Sequence, residues 1–380
     1  MDTKEKLQER LEVCHKAIAF ERTSRIPYIS NDWSWRFLDT ELGYSFSEAV
    51  GDYEKLEQVV YESIERYPCD GLLCPGTRNN VVLANILGGG RHKVANEGAV
   101  VQTLDSSPFD PEDYAAYAKN PILTSWEKFF PKRFGRLNLQ QIEDSVKAVM
   151  DFGALGARMN KTMEEKYGIP PLGPMTGLPI EPMFTNFRGI KGVSMDMRRN
   201  TQLVEDFVTA TKPGFLAKAE QTMKAYKGKS ICGTVITFLA HSVMGNKQFE
   251  RFYWSVYKDY IDLAVKYNAP IYQFTEATLL RFADFFDDVP KGTIVAHLEQ
   301  DDIFETRKRL PNIALAGGMP TTMLYQGTIE QCVDYAKKLI DELGAEGGYL
   351  FSQNKMMTYA NDAKRENLMA VVDFVNSYRI

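Results

Sequence analysis

The fold of this chain is decided by the stretch APIYQFTEATLLRFADFFDDVPKGTIVAHLEQDDIF, residues 269–304. Two short apolar runs, 271–274 and 293–296, each stop abruptly at a side chain able to bind a metal, Glu276 and His297. Between them residues 277–286 carry apolar side chains at helical spacing, so the unit reads strand, helix, strand. In a parallel α/β protein, residues just past the C-terminal ends of successive strands converge on one face, where chemistry is done. A carboxylate and an imidazole delivered there by neighbouring strands make a candidate metal site.

The same alternation extends in both directions. Apolar helical spacing over 4–20 predicts an N-terminal helix that packs on something larger, with His15 beside its stripe. Residues 25–30 (RIPYIS) form the first predicted strand and open into NDWSWRF, where Asn31 and Trp33 are candidate substrate contacts at a pocket mouth. A helix over 53–66 leads to a second strand at 70–75 (DGLLCP). From 81 to 108, glycines mixed with alternating apolar residues predict a β-hairpin insertion. The LGGGR within it lacks the Lys-Ser/Thr pair and the strand-to-helix setting of a phosphate loop.

A long helix covers roughly 138–164, and the proline-rich 169–176 is a third strand or a strand-like edge. The fourth strand, 231–239, ends at His241, a candidate proton-relay or substrate group. The aromatic helix 248–267 follows; its Tyr253, Trp254 and Tyr257 fall at core spacing. Residues 312–316 and 348–351 supply the seventh and eighth strands, around a helix at 328–343, and a helix at 362–378 closes the chain. Eight strands alternating with helices predict a single (β/α)8 barrel over 25–380, preceded by a helical extension at 1–24.

Composition narrows the function. The chain has 380 residues, 44% of them apolar, enough for one large core. A net charge of −5 without a basic block argues against nucleic acid or an anionic membrane as partner. No run approaches the roughly 20 apolar residues of a membrane span. The charged opening MDTKEKLQERLEV has no secretory signal character. Five scattered cysteines (Cys14, Cys69, Cys74, Cys232 and Cys332) fit a reducing cytoplasm and read as small buried residues, not a disulfide or structural zinc framework.

Three blocks carry a family resemblance: GPMTGLPIEPMFTNFRGIKGVSMDMRRN (173–200), KQFERFYWSVYKDYID (247–262) and AGGMPTTMLYQGTIEQCVDYAKKLIDELGAEGGYLFS (316–352). With the tail residues Asn361-Asp362 and Glu366-Asn367-Leu368, the chain resembles the uroporphyrinogen decarboxylase-like superfamily of single-domain (β/α)8 barrels over roughly 25–378. The loop after the first strand lacks the arginines of the decarboxylase itself, so the resemblance points to the corrinoid-dependent methyltransferase branch. The thiol-methylating members hold zinc through His-x-Cys and a distant Cys; this chain has His297-Leu298-Glu299 and Ser352-Gln353 instead.

The methyltransferase components of bacterial O-demethylases carry Glu-x14-Glu-x20-His. Glu276 and His297 reproduce the second spacing, while the first carboxylate is replaced by Ile261, with Asp262 beside it inside a helix. The resemblance therefore implies a Zn2+ site of Glu276, His297 and Glu299, with Asp301 and Asp302 behind it, and His241 near the chemistry. It implies cleavage of an aryl methyl ether, a vanillate- or guaiacol-like methoxylated aromatic, with transfer of the methyl to Co(I) of a corrinoid (cobalamin). No Asp-x-His-x-x-Gly motif of a cobalamin domain is present, so the corrinoid is expected on a separate protein. The expected setting is cytoplasmic, and a homodimer is left open. Alternatives are methyl transfer from a corrinoid to a thiol or folate, and a non-catalytic barrel that carries a corrinoid or tetrapyrrole.

Overall fold

The computed structural model describes residues 2–32, 34–76, 79–88, 92–95, 100–103, 105 and 107–380. In chain order the strands are β1 (Ile29–Ser30), β2 (Gly71–Leu72), β3 (His92–Ala95), β4 (Val100–Thr103) and β5 (Thr234–Phe238). They continue with β6 (Ile271–Thr275), β7 (Ile294–Leu298), β8 (Ala314–Met319) and β9 (Tyr349–Gln353). β5 to β9 form one parallel sheet in sequence order, with Phe274 of β6 opposite His297 of β7. β1 and β2 pair in parallel, and β1 continues the sheet beyond β9 through a bridge from Tyr28 to Phe351. β3 and β4 pair antiparallel and follow a short helix, Val81–Ile86, where the sequence places its hairpin.

Strand parity places Ile29, Val235, Tyr272, Val295, Ala314, Ala316 and Leu350 in one inner cluster. The helix Thr3–Ile18 closes that cluster from beneath with Leu11, Cys14 and Ile18, and the Gly348 amide donates to the Ala17 carbonyl at 2.6 Å. Ala314 and Ala316 are small where Tyr272 is large, which is how a narrow interior fills without voids. The opposite strand faces carry Ile236, Phe238, Ile294, Leu315 and Tyr349 into the larger core beneath the helices.

The expected eight-stranded closed barrel is only partly found. Seven strands pair in parallel, in a five-stranded sheet and a two-stranded one linked by a bridge, and residues 171–176 run beside β5. There the amides of Ile231, Cys232 and Val235 donate to Pro171, Leu172 and Pro174, with a single bridge from Met175 to Val235. Among the described residues, no ladder joins this segment to β2. Pro170, Pro171 and Pro174 have no N–H to donate, which leaves this segment short of backbone donors for regular ladders. A cavity of about 170 Å³ lined by Leu72, Pro75, Met163, Pro171, Gly173 and Met175 lies between the two edges.

The run 277–286 also departs from expectation. It is not an α-helix but a 3-10 segment, Leu280–Phe286, entered through Ala277 at φ 58. The Asp301 carboxylate takes the Leu279 amide at 2.5 Å, the Leu280 amide at 3.2 Å and the Thr278 hydroxyl, drawing the entry of this segment down onto β7's loop. The longer helices form where the sequence places them: Leu139–Thr162, Ser255–Tyr267, Ile329–Leu343 and Arg365–Ser377. Thr328 caps Ile329–Leu343 in a reciprocal box with Gln331, which satisfies backbone donors that would otherwise be orphaned. Among the described residues no two cysteines are joined in a disulfide. Among the described residues, no helix is long and apolar enough to cross a membrane.

Candidate active site

The C-terminal ends of β5, β6, β7 and β9 carry the polar side chains of the mouth. His297, on β7, is fully buried, with both ring nitrogens engaged. Tyr272 Oη lies 2.6 Å from Nδ1, and Nε2 lies 2.8 Å from the Gln353 carbonyl oxygen. A carbonyl can only accept, so we assign the ring proton to Nε2, leaving Nδ1 to accept from the tyrosine hydroxyl. Burial pushes the Tyr272 phenol well up, which keeps it a donor, and pulls His297 down to about 4, which keeps the ring neutral. Gly317, at φ +104, passes over the ring; a side chain there would stand 3.4 Å from Nε2.

Strand register separates this histidine from the carboxylates expected beside it. His297 is level with Phe274, so Glu276 and Glu299, each two residues further along, sit about 7 Å higher toward the mouth. The Glu299 carboxylate turns toward the end of β6, where its Oε2 accepts from the Ala277 amide at 3.3 Å. Asp301 anchors 278–280, and Asp302 caps the helix Ile303–Arg309 through the Phe304 and Glu305 amides, so both serve the backbone. Asp262 is exposed on the helix Ser255–Tyr267.

Among the described residues, no three His, Cys, Asp or Glu side chains stand together in a group that could hold a metal. As placed, Glu276, His297 and Glu299 do not fit a zinc ion: the one imidazole has its nitrogens committed to Tyr272 and the Gln353 carbonyl, a layer below the two acids.

Glu181 is the residue that sequence reasoning missed. It sits in the short turn Ile180–Pro182, and its Oε1 takes the Leu239 amide at 3.0 Å, the Ala240 amide at 3.2 Å and the Tyr253 hydroxyl at 2.6 Å. The two amide donors lie just past β5 and Tyr253 reaches in from the helical segment Phe249–Trp254, so the carboxyl is clamped beside the end of β5. Its Oε2 is buried with no hydrogen-bond partner. Burial, opposed by the three hydrogen bonds and assisted by the negative charge of Glu276, raises its pKa to about 7. The available signal was an acid enclosed by prolines and apolar residues, LPIEPM, where an exposed carboxylate has no reason to be.

His241 follows on the turn Ala240–Val243, fully buried, its ring 4.7 Å from that of Phe238 and 6.0 Å from that of Phe282. Burial and the nearby Arg281 charge depress it to about 3, with backbone groups of Thr278 and Phe238 pulling the other way, so it is neutral. Neither ring nitrogen makes a hydrogen bond; Arg281 is held by the His241 carbonyl. Just past β1, Asn31 Nδ2 lies 3.4 Å from His297 Nε2, and both Asn31 Oδ1 and Ser352 Oγ are buried without partners. Trp33 lies outside the described residues. Tyr253 and Tyr257 are core residues as their spacing implied, with buried hydroxyls bonded to Glu181 and Gln273.

Buried polar atoms without partners are rare in native proteins, because each costs about 1–3 kcal/mol. Here Glu181 Oε2, His241 Nδ1 and Nε2, Asn31 Oδ1 and Ser352 Oγ all lie at or just beyond the C-terminal ends of parallel strands. That is the face on which such sheets bind small molecules. The arrangement can hold a proton at Glu181 near neutral pH and accept or donate hydrogen bonds at the other positions.

No family model and no curated protein matches the sequence. Among solved structures 29 chains match, and one is a methyltransferase from Methanosarcina mazei. It superposes with a TM-score of 0.62 at 14% identity, over 97% of this chain and 98% of that one. At that identity the likeness carries the fold and not the activity.

Proposed function

We propose that this protein is a methyltransferase that removes the methyl group of a methoxylated aromatic compound, with a corrinoid on a separate protein as methyl acceptor. The observation that carries the reading is Glu181: a clamped, buried carboxyl, protonated over part of the neutral range, with one oxygen free to face a substrate. Cleaving an aryl methyl ether is slow because a bare phenolate leaves poorly. When the C–O bond breaks, its electron pair goes to oxygen, and a proton given to that oxygen stabilises the charge that develops there. The Glu181 Oε2 hydroxyl supplies that proton, and its orientation is fixed by the three donors on Oε1.

The methyl carbon is taken up by the acceptor, for which a reduced corrinoid provides the nucleophile. The neutral His241, with Phe238 and Phe282 around it, offers a polar and aromatic wall for a substituted ring. Glu276 adds negative charge at the rim and raises the proton affinity of Glu181. Likeness in fold to a methyltransferase supports the reaction class, and the sequence resemblance supports the acceptor.

The test is a methyl-transfer assay with vanillate or guaiacol as donor and a reduced corrinoid protein as acceptor, comparing wild type with Glu181→Gln. The expected loss for Glu181→Gln is 10²–10⁴-fold in kcat, the range of general acid catalysis. Equal rates in the two proteins would remove Glu181 from the mechanism. A wild type that leaves every methoxylated donor untouched would sink the proposed substrate class.

A further inference from the structure

Arg281 stands beside the site without a counter-charge. It lies in the segment Leu280–Phe286 that follows β6, and its guanidinium donates to the His241 carbonyl. The guanidinium carbon is also 4.5 Å from the centre of the Phe282 ring, within reach of a cation–π contact. The carboxylates nearest in the fold are committed elsewhere. Asp284 pairs with Arg309, and Asp301 accepts from the Leu279 and Leu280 amides and the Thr278 hydroxyl. Among the described residues no carboxylate pairs with Arg281: burial lowers its pKa, and no neighbouring acid pulls it back up.

An unpaired arginine on an open surface is ordinary when its side chain swings freely. This one is held by a main-chain acceptor and a ring face, which fix where its charge sits and leave most of its N–H donors for a ligand. Its anchor is also part of the site. The Ala240 amide donates to Glu181, and the next residue, His241, supplies the carbonyl that holds Arg281. The Phe282 ring beneath the guanidinium is 6.0 Å from the His241 imidazole, whose nitrogens are buried without partners. A cation, an aromatic wall and a proton-holding carboxyl thus meet around residues 240–241.

We propose that Arg281 binds a carboxylate on the substrate, so that the methyl donor is a methoxylated aromatic acid and not a neutral methoxyphenol. This assignment rests on the methyl-transfer reading above, in which the methoxy oxygen meets Glu181; the acid group of the same ring meets Arg281. A guanidinium takes a carboxylate through paired N–H···O bonds, and here it has no acid of its own to displace. The charge that Glu276 exerts on Glu181 is negative, so an anionic ring is drawn by its acid end to Arg281 and turns its neutral methoxy end to Glu181.

Titration calorimetry on the full chain without corrinoid, at about pH 6, tests this with vanillate and vanillyl alcohol. The alcohol keeps the methoxyphenol and replaces the carboxylate by a neutral hydroxymethyl group. Wild type is expected to bind vanillate at least about tenfold more tightly, and Arg281→Gln to bind the two within about twofold. Equal affinities in wild type overturn the proposal, as do a preference that survives Arg281→Gln and a wild type that binds no vanillate. Arg281→Lys serves if the glutamine variant does not fold. It keeps the charge and loses the paired bonds, so an undiminished preference in it refutes recognition by the guanidinium. Binding is read without turnover. Vanillate held through Arg281 but never demethylated sinks the methyl-transfer reading and keeps this contact; guaiacol demethylated by a protein with no preference for the acid does the reverse.

Discussion

Replacing Glu181 by Gln is expected to reverse part of the pH dependence of stability. In the fold the carboxyl is buried and titrates near 7 instead of 4.5. The folded state therefore holds a proton that the unfolded chain releases, and stability falls as pH rises from about 4.5 to about 7, then levels off. At 1.36 kcal/mol per pH unit, ionising Glu181 costs the fold about 1 kcal/mol at pH 5 and about 3 kcal/mol at pH 8.

Gln keeps an oxygen for the Leu239, Ala240 and Tyr253 donors and cannot ionise. His241 and His297, neutral in the fold, lower stability as pH falls below about 6.5, but they do so equally in both proteins and cancel in the difference. The measurement is urea unfolding of wild type and Glu181→Gln at pH 5 and pH 8. The stability of the variant relative to wild type should rise by about 2–3 kcal/mol between the two. A difference that does not change with pH would show that Glu181 ionises normally, and the proton-donor argument would fall with it.

Two further outcomes follow from buried partners. His297→Ala removes the acceptor of the Tyr272 hydroxyl and the donor to the Gln353 carbonyl, and should lower unfolding free energy by about 2–5 kcal/mol in urea titration. Metal analysis of the same pair separates that role from the zinc expectation: about one zinc per wild-type chain, lost in the variant, would overturn the hydrogen-bond assignment. Asp32→Asn leaves the Arg36 guanidinium, 2.5 Å from Asp32 and sealed from solvent, without its counter-charge. It should cost about 3–5 kcal/mol by thermal or chemical denaturation, and a loss below about 1 kcal/mol would contradict the burial of the pair.

Much of the fold was legible in the sequence because periodicity is local. Strands β5 to β9 announce themselves as short apolar runs ending in polar residues, and the helices between them as apolar stripes, since side-chain direction depends only on position along the element. The turn into the segment 280–286 was not legible: a distant carboxylate, Asp301, draws its entry backbone down, and no window of local sequence contains that contact.

The candidate site divides along the same line. The sequence by itself placed Glu276, His241, His297 and Asn31 at strand ends on one face, because strand ends can be counted. Only the tertiary structure decided their levels and partners. Inter-strand register sets His297 one layer below Glu276, and a register is a relation between strands that spacing along one chain does not encode. Glu181 became visible only when the fold laid its turn against the end of β5, which buried it and clamped one of its oxygens. The proton affinity of a carboxyl belongs to its surroundings, and those exist only once the chain has folded.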